Sequence, residues 1–281
     1  MTDQLSLRLE AALPNLPTSL RPMLARPLPD AFDSPNHLFE PMWGGVRALA
    51  LIGPSEAQGS GDVTFVDEDG IPFEDTPPDL AGLAVRVAAR SAVLDGEIVA
   101  VDEAGRLDRR ELERRMRGEP GRPLAYLAFD LLHLDGRSLL SVPLQRRREQ
   151  LRKVLRPGDE VVAVPAIAAE GLALYEAVSA QGLAGIRARQ RSGPYLPGIR
   201  SRLWRSIAVK PAASADGGGS GPAEARSAEE PPPDRESVPA DADPGSSFFG
   251  ERTAPVLALI RRLPLGLEDP VEPLGPPGAA R

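Results

Sequence analysis

Residues 125–155 read AYLAFDLLHLDGRSLLSVPLQRRREQLRKVL, and the order of elements in this stretch decides the class of fold. Ala125–Leu134 is a strand-length run of apolar side chains that ends in the turn sequence Leu134-Asp135-Gly136-Arg137. A helical pattern, Leu144–Leu155, then begins one residue after Pro143, which cannot itself sit inside a helix. Upstream, Val93–Val101 is a second strand, followed by the turn Asp102-Glu103-Ala104-Gly105, and Gly45–Ile52 and Asp62–Val66 are two more, the latter closing on Asp67-Glu68-Asp69-Gly70. Downstream, Leu183–Arg189 is a further strand, while Asp3–Leu13, Asp108–Met116 and Gly171–Gln181 read as helices. Strands joined by short turns pair antiparallel. The expected class is therefore α+β, antiparallel sheets flanked by helices, rather than the regular alternation of a doubly wound fold.

The 281 residues, 42% hydrophobic and 4% aromatic, are enough to bury a sizeable core. Zero cysteines exclude disulfides, thiolate metal sites and a cysteine nucleophile, and two histidines, His37 and His133, exclude a multi-histidine metal centre. Only two of the 33 basic residues are lysines, Lys153 and Lys210, so any lysine chemistry has two candidates. No apolar run is long enough to span a bilayer, and the first residues lack the basic-then-apolar pattern of a signal peptide, so the expected location is cytoplasmic.

Net charge is −7, unevenly spread. Residues 212–247 hold eight acidic and two basic side chains and a single large aliphatic residue, Val238. Such a segment cannot bury enough apolar surface to offset its ordering entropy, and it reads as a disordered acidic Pro/Gly/Ser-rich linker. The expected organisation is a folded unit over 1–211, the linker over 212–247, and over 248–281 a short helix at Arg252–Leu263 with a disordered tail. Residues 1–211 are close to neutral, with 27 basic and 28 acidic side chains, so net charge neither demands nor forbids nucleic acid.

Five stretches carry a resemblance: PMLARPL (22–28), LFEPMWGGVRALA (38–50), VLDGEIVAVDEAGRLD (93–108), YLAFDLLHLDGRSLLSVPLQRRREQL (126–151) and GLAGIRARQRSGPYLPGIRSRLWRSIAVK (182–210). In order and spacing they resemble the adenylation domain of ATP-dependent DNA ligases, the bacterial end-joining type above all. The resemblance implies the nucleotidyltransferase fold of ligases and capping enzymes. An OB domain, which such ligases carry after the last of these motifs, is not expected in the residues that remain here.

The same resemblance implies a chemistry and exposes its gaps. Members attack the α-phosphate of ATP with a lysine amine, and cations and a metal absorb the charge that develops. The family's Lys-x-Asp-Gly-x-Arg reads Met42-Trp43-Gly44-Gly45-Val46-Arg47 here, so a thioether replaces the nucleophile and glycine the aspartate. Its Ser-Arg-Asn-Gly turn is Asp67-Glu68-Asp69-Gly70, and its Glu-Gly-x-x-x-Lys is Ala184-Gly185-Ile186-Arg187-Ala188-Arg189. Both lysines of its Trp-x-Lys-x-Lys are missing from Trp204-Arg205-Ser206-Ile207-Ala208, whereas Asp95-Gly96-Glu97 and Phe129-Asp130 match, Phe129 in the place of the adenine-stacking aromatic. Positions 42, 68, 206 and 208 thus lose four phosphate-facing cations. At about 1.5–3 kcal/mol for each hydrogen bond to a charged group, that removes on the order of 6–12 kcal/mol of ATP binding and transition-state stabilisation.

The resulting expectation is a catalytically inactive pseudo-ligase module of DNA repair and end joining, with no catalytic residue, no metal ligands, and neither ATP nor Mg as cofactor. Its partner is DNA or an end-joining repair protein. Glu40, Arg47, Glu97 and Phe129 are the candidate nucleotide-facing residues, with a structural Arg47–Glu97 ion pair as the plainer reading of that pair. Arg187, Arg189, Arg191, Arg200, Arg202 and Arg205, with no acid between the first and the last, are the candidate contacts to a phosphate backbone. The arginines of 109–117, and Arg146, Arg147, Arg148, Arg152 and Lys153, read as solvated helix faces. Two alternatives stand beside this reading: an active ligase, which needs a cleft lysine and has only Lys210 near a motif, and a nucleoside-binding regulator using the four nucleotide-facing residues.

Overall fold

The computed structural model describes residues 15–17, 19–102 and 106–210, and up to Val209 these belong to one compact unit. The helices expected at Asp3–Leu13 and Arg252–Leu263 and the linker at 212–247 lie outside the described residues. Among those described, the strands are β1 (Leu24–Pro27), β2 (Ser34–Met42), β3 (Val46–Ile52), β4 (Val63–Val66), β5 (Ala92–Ala100), β6 (Leu124–Leu134), β7 (Arg137–Ser138), β8 (Val161–Ala163), β9 (Ile167–Ala169), β10 (Gly185–Gln190) and β11 (Arg200–Ala208). The helices are α1 (Arg109–Met116), α2 (Leu144–Val154) and α3 (Gly171–Ala180), with a 3₁₀ helix at Pro78–Arg86.

Two sheets result. One has the order β1-β11-β10-β2-β9 and the other β4-β3-β5-β6-β7, with β8 also on β6. Pairing is antiparallel as expected except for β1 with β11 and β8 with β6, which run parallel. The chain crosses from the first sheet to the second at Trp43-Gly44-Gly45, and Gly44 takes φ +73°, a conformation glycine adopts without a Cβ clash.

Alternation along the second sheet builds two cores. Val93, Val99, Leu127 and Phe129 face the first sheet and join Phe39, Trp43, Tyr195 and Trp204 in one cluster. Leu94, Ile98, Tyr126 and Ala128 face the other way and meet Leu80 and Leu83 of the 3₁₀ helix, Leu112 of α1 and Leu151 of α2. Central β5 is buried along all nine residues. Its Gly96 is required by packing, since a Cβ there would run into the Tyr126 ring and the Leu127 carbonyl.

The β5–β6 register is irregular beside Asp95, where Asp95 opposes Asp130 but Gly96 opposes Ala128. The residue left over is Phe129, and a bulge of this kind re-aims side chains next to a site.

Candidate functional site

The facing surfaces of the two sheets carry a dense set of buried charges. β2 supplies Glu40, β3 Arg47, β5 Asp95 and Glu97, β10 Arg187 and Arg189, and α2 reaches in with Arg148. Asp95 and Glu97 are two residues apart on a strand and so share a face, and Arg47 lies directly opposite Glu97 in the β3–β5 register. Arg47 nonetheless bonds Asp95, with both Nε and Nη2 donating at 2.7 Å. The expected Arg47–Glu97 pair is therefore not the one formed: the partner of Glu97 is Arg187 from the opposite sheet. Arg47 takes the diagonal carboxylate because a planar guanidinium fits Asp95 with two parallel hydrogen bonds.

Each of these charges is held by more than one contact. Burial alone would lower Arg47, but the charge and hydrogen bonds of Asp95 outweigh it and keep the guanidinium protonated. Tyr195 donates its O–H to Asp95 Oδ2 at 2.8 Å and accepts the Met23 N–H at 2.8 Å. Burial first, then the Asp95 charge, push that phenol well above its ordinary range. Arg148 donates to Glu40, to the Phe129 carbonyl and to the Val164 carbonyl.

Arg189 is the exception. It is fully buried, its guanidinium carbon lying 4.0 Å from the Phe129 ring centre and 4.2 Å from that of Trp204. Its Nη2 is 3.0 Å from Glu40 Oε2, an ion-pair distance, yet none of its three nitrogens makes a well-formed hydrogen bond. Burial pushes it down to about 10, and Arg187 and Arg47 add to the effect against the attraction of Glu40. The set holds four guanidiniums and three carboxylates, and Arg189 is the surplus cation.

Glu40, Arg47, Glu97 and Phe129 are thus brought together. The six candidate DNA-facing arginines are not. Arg187 and Arg189 face the cleft, and Arg189 has no exposed surface. Arg205 pairs in register with Ala188, on the opposite face of the sheet from Arg189, and its charge depresses His37 after burial does. Arg191 reaches the Pro35 carbonyl and Gln145. Arg200 and Arg202 are exposed, Arg200 donating to the Ala25 carbonyl.

The solvated reading of α2 is corrected for two residues. Arg147 is fully buried and pairs with buried Asp130 through two hydrogen bonds, and Arg148 is buried at Glu40. The signal was in the spacing: 147 and 148 fall between Leu144 and Leu151 on the stripe that turns inward.

A depression of about 340 Å³ opens at the end of β2. It is lined by Met42, Gly44, Gly45 and Val46, by Arg47, Glu97 and Arg187, and by the turn Asp67–Asp69.

Residues 22–207 match the protein-family model described as the ATP dependent DNA ligase domain. The chain belongs to the ATP-dependent DNA ligase family. The multifunctional non-homologous end joining protein LigD of Mycolicibacterium smegmatis is 30% identical over 189 residues, 67% of this chain and 24% of that protein. DNA ligase C1 of the same organism is 32% identical over 207 residues, covering 66% of this chain and 55% of that one. Among solved structures, a mycobacterial DNA ligase D complexed with ATP and MES gives a TM-score of 0.57 at 28% identity, covering 67% of this chain and 60% of that one. The ligase domain of M. tuberculosis LigD gives 0.55 at 29%, covering 66% and 58%. These matches establish the nucleotidyltransferase fold of the ligase domain. The chain spans about a quarter to just over half of the curated relatives it matches.

Within this ligase-family fold, the depression beside Met42 is lined by four carboxylates (Asp67, Glu68, Asp69, Glu97) and two guanidiniums (Arg47, Arg187). Both guanidiniums are already paired, with Asp95 and Glu97. A triphosphate entering here meets a net charge of −2 and no free cation in the lining. Among the described residues, no three carboxylate or imidazole groups stand together as metal ligands.

Proposed function

We propose that this chain is a catalytically silent member of the ligase family, an adenylation-domain fold that serves DNA repair and end joining as a binding module for DNA or a repair protein, in the cytoplasm. One observation carries it: at the position of the family's lysine stands Met42, over a depression whose carboxylates outnumber its guanidiniums four to two. An amine in line with the α-phosphate is the first requirement of adenylation, and cations around the phosphates are the second. Neither is met. The other alternative, a nucleoside regulator, needs an open Phe129 face, and Arg189 lies against that ring at 4.0 Å.

The test is incubation with α-labelled ATP and magnesium or manganese, then denaturing electrophoresis. Wild type is expected to give no acid-labile band. Met42→Lys is expected to give none either, because the new amine would still face Glu68 and lack its partner at Gly44. A band from wild type overturns the proposal and points to Lys153 or Lys210. A band from Met42→Lys alone shows that the phosphate pocket still works.

A further inference from the structure

Beside the depression at Met42 the two sheets leave apolar surface uncovered. Met42 and Val46, in its lining, are only half-buried. Directly after the turn that carries Asp67, Glu68 and Asp69, Ile71 is 59% exposed, and Ile199 on the other sheet is 53% exposed. These are two of the four large apolar side chains left exposed among the described residues. One side chain adjoins both neighbourhoods: the Arg21 stem would meet a Cβ placed on Gly70 and one placed on Gly198. An apolar surface rimmed by charge is the usual form of a docking site.

Charge and chain path select the occupant. Arg47 and Arg187 are committed to Asp95 and Glu97, so the three carboxylates of the turn have no cation in the lining. A nucleic-acid backbone is repelled there, and an apolar segment carrying guanidiniums is attracted. The chain itself holds such a segment. Over Arg252–Leu263, Val256, Leu259, Ile260 and Leu263 repeat at the spacing of one helix face, and Arg261 and Arg262 flank it. The path also leads there: Ala208, near the end of the described residues, pairs with Gly185, which on its other side pairs with Met42. Two inter-strand steps make about 10 Å. The 41 residues from 211 to 251 span about 35 Å at coil dimensions, enough to return. Their acidic stretch, 212–247, is itself repelled by the turn.

We propose that the chain's own segment Arg252–Leu263 docks on this surface, its apolar stripe covering Ile71 and Ile199 and its arginines Arg261 and Arg262 paired with the turn carboxylates. The inference rests on the reading of the depression as closed to a triphosphate, and it adds what takes the triphosphate's place. The protein then covers its own cleft mouth.

The composition makes the test direct, since the chain has four methionines and no cysteine. In the full chain, ¹³C-methyl methionine labelling gives Met42 its own signal, and Thr253→Cys gives one attachment point for a nitroxide, ahead of the apolar stripe. The Met42 methyl is expected to lose most of its intensity with the oxidised label and to regain it when the label is reduced. Arg261→Glu/Arg262→Glu should restore the signal under the oxidised label. Glu68→Arg/Asp69→Arg, at two exposed positions, should restore it too. Combining the two reversals should quench it again, which loss of fold would not do. Full intensity of Met42 in the parent, or quenching untouched by either reversal, overturns the proposal. So does quenching in a mixture of spin-labelled unenriched chain with enriched unlabelled chain, which assigns the occupant to a second copy. No nucleotide enters the experiment, so an adenylated band in the α-labelled ATP assay refutes the silent reading separately.

Discussion

Replacing Arg189 with methionine is expected to make the protein more stable, although it removes a fully buried side chain that touches two aromatic rings and a carboxylate. The reasoning starts from the charge count. Without Arg189, every cation left in the cleft keeps its own carboxylate: Arg47 with Asp95, Arg148 with Glu40, Arg187 with Glu97. Holding Arg189 charged in that setting pushes it from the ordinary guanidinium range down to about 10, which corresponds to about 3 kcal/mol against the folded state at neutral pH. The stacking on Phe129 and Trp204 that would be lost is worth about 2 kcal/mol for a desolvated guanidinium. A thioether between the same two rings returns about 1 kcal/mol.

The net expectation is a gain of about 2 kcal/mol, read as a shift of the urea midpoint at unchanged slope and about 4–8 °C in Tm. The pH dependence has a fixed sign. A base depressed in the folded state makes the unfolded chain bind more protons from about 10 up to the ordinary guanidinium range, so wild-type stability rises with pH through that window and the advantage of the variant narrows there. Arg148→Met is the control. It removes a cation that donates three hydrogen bonds and leaves Glu40 facing only Arg189, and it is expected to cost about 3–5 kcal/mol. If Arg189→Met proves less stable than wild type, the surplus-cation account of the cleft is wrong.

Three further outcomes are expected. Gly96→Ala should lower stability by about 1–3 kcal/mol in urea unfolding, because its Cβ meets the backbone carbonyl of Leu127 as well as the Tyr126 ring; a neutral result would mean that β5 can shift. His37 is depressed by burial and then by Arg205, and His133 by burial, so both favour the neutral form when folded and stability should fall as pH drops through the ordinary 6.5. His37→Gln/His133→Gln should flatten that limb of the stability–pH curve, and an unchanged slope would assign it to other groups. Arg200→Glu/Arg202→Glu should weaken any binding to duplex DNA at all sequences alike and reduce its salt slope by about two contacts, read by fluorescence anisotropy across a salt series; an unchanged slope would remove these two exposed residues from the interface.

The elements legible in the sequence were those whose pattern is uniform. β3, β5, β6 and the three helices fall within one or two residues of where run length, turns and the Asp108 cap place them. β2 was not legible because Pro35 and Pro41 interrupt it, and it forms because β10 and β9 pair with it on either side. β1 depends on a parallel pairing with β11, residues about 175 positions away, which no local pattern announces.

The site divides the same way. Spacing put Asp95 with Glu97 and aligned Glu40, Arg47 and Phe129 with the family. Which cation takes which carboxylate, by contrast, depends on how two sheets face each other. The arginines of β10 show the limit most plainly, since a run without acids reads as a set of phosphate-backbone contacts until the opposite sheet supplies Glu40, Glu97 and the Phe129 ring.

The pattern of what matches the family and what departs from it has a physical explanation in this fold that needs no retained activity. Glu40, Arg47, Asp95, Glu97 and Phe129 are all at most 9% exposed and bound into one network. Removing either partner of a buried ion pair strands the other, at about 3–5 kcal/mol, a large part of the stability a domain of this size possesses. Met42 and Ser206 are only half-buried, and Glu68 and Ala208 are exposed, where substitutions ordinarily cost little. Residues that face the phosphates of a ligand are therefore free to change once catalysis is no longer needed. Residues on the nucleoside side are held by the folding of the two sheets themselves, so the outline of the site is kept on grounds of stability alone.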